Sequence, residues 1–268
     1  MPVLVGTALA RAEGHVVWWR SGCALVVALA LQVGVNYAND YSDGIRGTDE
    51  DRVGPVRLVA GGLARPGAVR LAAWVCFGVA AAAGAVLAFA TSPWLLAIGA
   101  ASVLAAWFYT GGPRPYGYAG FGELFVFVFF GLVAVVGTTY VNLGHVPWLS
   151  VMAAIPVGLL AVALLVVNNL RDIPGDTTAG KRTLAVRLGA ARTRWVYAGC
   201  IAAAFAVVPV VAVRRPVALV AWAAAAVGVG PVRAVLKRTE GRELIGVLGM
   251  TGRLHLVFGV LLAVGIWL

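Results

Sequence analysis

The chain has 268 residues, 61% of them hydrophobic and only 12% charged, where a soluble domain is about half apolar and about a quarter charged. Its mean hydropathy is +0.91. The net charge of +10 has no polar domain to carry it, so a soluble protein and a nucleic-acid partner are both excluded.

Apolar windows fall near residues 1–10, 17–37, 68–89, 93–110, 121–141, 147–169, 194–213, 216–235 and 251–268, most near the roughly 20 residues that a membrane span needs. They predict an all-α, polytopic membrane bundle of about nine transmembrane helices, folded as a single integral-membrane domain over 1–268. The first window, "MPVLVGTALA", starts inside an apolar segment without a charged flank and reads as a helix shortened at its start. Lacking a basic leader and a cleavage pattern, it is not a signal peptide. Every Lys and Arg except Arg11, Arg20, Arg214 and Arg215 falls on one side when the loop after residue 36 is placed inside, which sets the orientation by the positive-inside rule. Cys23, Cys76 and Cys200 stand alone in apolar runs and read as packing residues.

The end of the second window carries "NYANDYSDGIRGTDEDR". Asn36, Asp40 and Asp43 recur at i, i+4 and i+7, and Asn39 lies four before Asp43, so all share a broad helix face. Glu50 and Asp51 suit a solvated helix end. Asn36, Asn39 and Asp40 do not, because a charge deep in a membrane costs roughly 2.5–3.5 kcal/mol on insertion scales.

The sixth window ends in the same way, in "VVNNLRDIPGDTTAGKRTLAVRLG". Asn168, Asp172 and Asp176 recur at i, i+4 and i+8, with Pro174 and Gly175 expected to end or bend the helix before Asp176. Two acid–amide clusters, both at the inner ends of apolar helices, suggest a pseudo-repeat aimed at one cavity. Paired carboxylates without a His/Cys set suit hard oxygen-bound cations, Mg²⁺ above all. Asp43, Asp172, Asp176, Asn39 and Asp49 are the expected ligands, holding two ions that bridge a diphosphate.

Carboxylates alone would repel a diphosphate, and bound metal would reverse that. The neighbouring cations Arg46, Arg52, Arg57, Arg171, Lys181 and Arg182 offer further phosphate contacts. In a greasy protein the diphosphate belongs to a lipid. Loss of pyrophosphate from an allylic carbon leaves a carbocation, which calls for a dry cavity and aromatic faces. Tyr37, Tyr41, Tyr109, Tyr116 and the run Phe125, Phe127, Phe129 and Phe130 are the candidate rings. The inner loop "WFYTGGPRPYGYAGFGELFVF" adds Arg114 and Glu123 as substrate contacts, Glu123 because it opens an apolar helix.

The motifs "NDYSD" and "NNLRDIPGD" resemble the two aspartate-rich motifs of the UbiA superfamily of intramembrane prenyltransferases. The blocks "NYANDYSDGIRGTDEDRVGPVRLVAGG", "YTGGPRPYGYAGFGELFVFVFFG" and "VNNLRDIPGDTTAGKRTLAVRLG" are similar to its menaquinone-pathway branch over almost the whole chain. The resemblance implies a nine-helix fold around a cavity open to lipid. It also implies Mg²⁺-dependent transfer from a polyprenyl diphosphate to 1,4-dihydroxy-2-naphthoate with loss of the carboxylate, in the lipid bilayer of the inner membrane, at a site facing the cytoplasm. Carried over by residue, the first motif gives Asn36, Asn39, Asp40 and Asp43, and the second gives Asn168, Asp172 and Asp176, with Asp40, Asp43, Asp172 and Asp176 as the catalytic set. Lys181 and Arg182 match the family's diphosphate contacts, with Arg52, Arg57, Tyr109, Arg114, Tyr116 and Glu123 beside them. Two departures stand out. Gly47 occupies the place of the fuller motif's last aspartate, with Asp49 in its stead, and relatives carry a basic, proline-containing segment before "PVLVGTALA". The serious rival is another aromatic acceptor such as 4-hydroxybenzoate or homogentisate. An ion-coupled transporter would set its acids near the bilayer midplane rather than at helix ends on one side, and a CDP-alcohol phosphotransferase would need its aspartates in one contiguous motif.

Overall fold

A computed structural model describes residues 1–48, 54 and 56–268. Asp49 and Arg52, named above as metal and substrate ligands, lie outside the described residues. Those residues form nine helices: α1 Pro2–Glu13, α2 Trp18–Ile45, α3 Pro66–Thr91, α4 Trp94–Phe108, α5 Gly122–Leu143, α6 Trp148–Thr178, α7 Leu184–Ala212, α8 Pro216–Leu236 and α9 Glu243–Trp267. The all-α fold expected from the apolar windows is the one observed.

Seven of these helices, among the described residues, are long and apolar enough to cross a membrane. The two exceptions are α1, with 12 residues, and α4, with 15. At 1.5 Å per residue the longer of them reaches about 22 Å, short of the ~30 Å hydrocarbon core.

The helices outrun their apolar windows where the polar motifs begin. Helix α2 continues to Ile45 and α6 to Thr178, so both motifs are helical. The stop expected at Pro174 does not occur. One lost backbone bond is tolerated because the last turn is tied from both sides. Thr177 and Thr178 hydroxyls donate to the Ile173 and Pro174 carbonyls, and the Ala179 N–H donates to Gly175. In α7 the backbone breaks once, at Gly189, whose φ of 74° is left-handed and suited to glycine.

The chain packs as two compact units. The first comprises 1–21, 123–171 and 188–268. Within it α1 lies against the later half of α5 and against α9. Helix α6 is its central element, with 67% of its apolar window buried against 39% or less for the other spans. Helix α5 widens into a π-turn over Phe127–Val133, and there Gly131 meets Gly158 of α6 so closely that a Cβ on Gly131 would sit 2.6 Å from the Gly158 Cα. Small residues permit such backbone approach.

The second unit comprises 22–122 and 172–187. Its core is Ala38 of α2 with Ala73 and Phe77 of α3, bordered by Leu31, Tyr37, Val103, Ala106 and Trp107. Trp74 lies 4.7 Å from Trp107 with the rings tilted by 31°, and it meets Phe77 edge-on.

Candidate functional site

Both polar motifs end in the same backbone device, and both ends belong to the second unit. After Asp43 the Thr48 N–H donates to the Asp43 carbonyl at 3.1 Å and the Gly47 N–H to Gly44 at 3.3 Å. After Asp176 the Lys181 N–H donates to the Asp176 carbonyl at 2.8 Å and the Gly180 N–H to Thr177 at 3.1 Å. Gly47 and Gly180 are left-handed, with φ of 69° and 71°. These are Schellman endings, which satisfy the last helical carbonyls and favour glycine at the left-handed position. Each motif thus reads Asp-x-x-x-Gly, with the carboxylate one turn before the end. That spacing was legible in the sequence, and it accounts for Gly47 where the fuller motif has an aspartate.

The two carboxylates converge on one cation. The Lys181 ammonium lies 3.3 Å from Asp43 Oδ1 and 3.8 Å from Asp176 Oδ1, with its side chain only 9% exposed. Asp43 Oδ1 also accepts the Tyr118 hydroxyl proton, and Thr183 Oγ1 lies 3.5 Å from Asp176 Oδ2. Lys181 Nζ stands 4.6 Å from the Tyr118 ring centroid, and the Arg46 guanidinium 5.5 Å from it. Burial, and then the negative charge and hydrogen bond of Asp43, raise the Tyr118 pKa above its ordinary 10.0. Tyr118 therefore stays a neutral donor to Asp43.

Tyr118 is a residue of this site that the sequence did not single out. It was passed over for Tyr109 and Tyr116, which pair edge-on at 5.5 Å. The Tyr116 hydroxyl donates to the Ala105 carbonyl at 2.8 Å, so its polar end holds the loop on α4. Burial raises its pKa too.

Asp40 sits otherwise than a catalytic carboxylate would. Its two oxygens accept the backbone N–H groups of Leu58 and Val59, each at 2.9 Å. These begin a short helical turn, which ends at left-handed Gly62 with Leu63 donating to Leu58. The first N–H groups of a turn lack internal partners, and Asp40 supplies them from α2. Val59 seats against Gly44, where a Cβ would come within 2.6 Å of it. Asp40 thus anchors the loop. Arg57 supplies the carbonyl that closes the same turn onto Gly61.

The other expected site residues scatter. Asn39 accepts from the Thr110 hydroxyl at 2.8 Å, next to the carbonyls of Thr110 and Gly112 that Arg46 grips. Arg46 is therefore spent on the loop backbone. Asp172 lies half-buried, one turn before Asp176 on α6. Asn36 is exposed and turns its amide back to the Gln32 carbonyl. Arg114 and Arg182 are exposed, the latter donating its backbone N–H to Tyr118. Tyr41 stacks on Trp107 at 6.3 Å, and the Arg70 guanidinium lies 5.7 Å from the centroid of the Tyr41 ring.

In the first unit, Asn168 Oδ1 accepts from Arg171 at 2.9 Å. Glu123 is buried and accepts from the Asn169 amide at 3.0 Å, an amide the sequence reading did not single out. Phe125 and Phe129 stack at 6.0 Å.

The donor set fits magnesium. Two carboxylates already turn oxygens onto one cationic centre, with the Tyr118 and Thr183 hydroxyls beside them. Mg²⁺ is commonly held by one or two carboxylates plus substrate phosphates. Among the described residues no three or more His, Cys, Asp or Glu side chains gather into a group that could hold a metal ion by themselves.

Residues 1–248 match the UbiA prenyltransferase family. A relative from Mycobacterium tuberculosis, 1,4-dihydroxy-2-naphthoate octaprenyltransferase, is 53% identical over 265 residues, 98% of this chain and 90% of the relative. A UbiA homologue from Aeropyrum pernix K1 superposes with a TM-score of 0.73 at 15% identity, covering 99% of this chain and 94% of its own. Another, from Archaeoglobus fulgidus and bound to GPP and Mg²⁺, superposes with 0.64 at 16% identity, covering 100% and 97%.

Proposed function

The chain belongs to the UbiA prenyltransferase family, and we propose that it transfers a polyprenyl group from an allylic polyprenyl diphosphate to 1,4-dihydroxy-2-naphthoate. The observation that carries the reading is the convergence of Asp43 and Asp176, from two matched helix ends, on the Lys181 ammonium. It is supported by the 53% identity to a relative of that name over nearly the whole chain.

In this reading the diphosphate binds where the two carboxylates meet. Asp43, Asp176 and Asp172, with Asn39, hold Mg²⁺, as two ions. Bound Mg²⁺ neutralises the negative charge that grows on the leaving diphosphate. Lys181 adds a hydrogen-bonded positive charge on the same oxygens. Tyr118 fixes Asp43 by its hydroxyl and Lys181 by its ring face. Asp40, Arg46 and Tyr116 position the loops that close over this end.

The allylic C–O bond breaks with its electron pair leaving on the diphosphate. The naphthoate ring carbon that bears the carboxylate forms the new C–C bond. That carboxylate departs as CO₂, and the electron pair of the broken bond restores the aromatic ring. No base has to take a ring proton in that step. The product is a demethylmenaquinol, made in the inner membrane at its cytoplasmic face, where the positive-inside rule puts both motifs.

Membranes carrying the protein, a polyprenyl diphosphate and carboxyl-labelled naphthoate should release labelled CO₂ in step with prenylated product. Prenylation of 4-hydroxybenzoate, with the naphthoate left untouched, would move the assignment to another acceptor.

A further inference from the structure

Lys181 occupies an unusual place for a phosphate contact. It is buried between the last carboxylates of both motifs, where a divalent cation held by those carboxylates would sit. Its backbone is fixed, because its N–H closes the α6 ending on the Asp176 carbonyl. Its ammonium sits on a flexible four-carbon stem. The Tyr118 ring, 4.6 Å from the ammonium, offers a second surface on which a cation is stabilised.

We infer that Lys181 is a built-in counter-ion for the Asp43–Asp176 pair, and that it makes metal binding conditional on a diphosphate. The inference rests on the magnesium reading above. Two positive centres cannot share oxygens a few ångströms apart at low cost. A metal entering alone must displace Lys181 from the Asp43 and Asp176 carboxylates and give up both of those ion pairs. A diphosphate removes that penalty by offering oxygens to the displaced ammonium. Metal and diphosphate therefore bind with positive coupling, which is reciprocal. The site takes the metal–diphosphate complex and discriminates against either part alone. Tyr118 keeps Asp43 in place while the lysine moves.

The test measures Mn²⁺ binding to the detergent-purified protein by electron paramagnetic resonance, with and without inorganic pyrophosphate. The wild type should bind Mn²⁺ weakly alone and about tenfold or more tightly with pyrophosphate, within the usual range of coupling. Lys181→Met should bind Mn²⁺ alone about tenfold more tightly than the wild type and gain less from pyrophosphate. Lys181→Arg, which keeps the charge, should resemble the wild type. Lys181→Met binding Mn²⁺ no better than the wild type would overturn the inference while leaving the metal site standing. Absence of Mn²⁺ binding by every protein, even with pyrophosphate, would overturn the magnesium reading itself.

A second measurement needs no variant. The chain has two lysines, Lys181 and Lys237, so ¹⁵N-lysine labelling gives two side-chain signals. The Lys181 signal should move when Mg²⁺ and pyrophosphate are added together and stay when Mg²⁺ is added alone. A signal that moves fully with Mg²⁺ alone, or not at all with both, sinks the counter-ion role.

Discussion

The ends of α2 and α6 are alike in backbone and unlike in duty. Each presents an aspartate one turn before a left-handed glycine, and each of those aspartates faces Lys181. One turn earlier the likeness fails. Asp40 has both oxygens bound to the loop at Leu58 and Val59, whereas Asp172 stays half-buried on α6. A repeated motif therefore fixes the terminal carboxylates, while the neighbouring chain decides what the earlier ones do.

The largest effect should come from breaking what the ends share. Replacing Asp43 and Asp176 together by asparagine should lower turnover on the order of 10³-fold or more, the scale seen when charge stabilisation at a reacting centre is removed. Single-turnover assays in membranes check this, and turnover insensitive to both the double change and a chelator would remove the metal mechanism.

The next tests what differs. Asp40→Ala removes two charge-assisted bonds to backbone and should cost about 3 kcal/mol, at ~1.5 each. Denaturation in mild detergent should show that loss, whereas Asp43→Asn should lose activity out of proportion to stability. Unchanged stability in Asp40→Ala with turnover abolished would return Asp40 to the chemistry.

Tyr118→Phe keeps the ring under Lys181 and deletes the hydroxyl on Asp43. It should lower kcat/KM about tenfold, the equivalent of ~1.4 kcal/mol. The pH dependence has a definite sign. Because Tyr118 titrates above 10.0 in the folded protein, the unfolded tyrosine ionises first. Its contribution to stability is complete below that pH and is lost as pH rises through the raised folded value. The stability gap between wild type and Tyr118→Phe should therefore narrow above pH 10, and a gap that widens would contradict the hydrogen bond.

The smallest effect sharpens the likeness. Gly180→Ala meets open space, so only its φ of 71° opposes the change. It should cost about 1 kcal/mol, and Gly180→Asn should cost less, since asparagine tolerates the left-handed region better. Matching costs at Gly47 would show that the two endings are energetically equivalent.

Much of this was legible before any coordinates. Asp43 and Asp176 stood out as members of two matching acid–amide clusters at the ends of apolar helices, and Lys181 because the chain has only two lysines. The Schellman endings were also there to be read, as Asp-x-x-x-Gly at both places. Tyr118 was not, because an alternating "YGY" gives two tyrosines the same local signature. Only the packing of the 109–121 loop sends Tyr116 to the Ala105 carbonyl and Tyr118 to Asp43. The stop expected at Pro174 failed for a related reason, since bonds from the following threonines and Ala179 hold the helix together.

The sequence by itself determined the membrane class, the all-α bundle and the two polar motifs. Those follow from composition and periodicity, which act along the chain. The same windows predict about nine transmembrane helices, where seven, among the described residues, are long and apolar enough to span. Tertiary structure alone decided that Asp40 holds a loop, that Arg46 is spent on carbonyls, and that Lys181 lies between two carboxylates. Such assignments depend on which polar group a fold brings within hydrogen-bonding reach, and residues 18 or more apart reach one another only through packing.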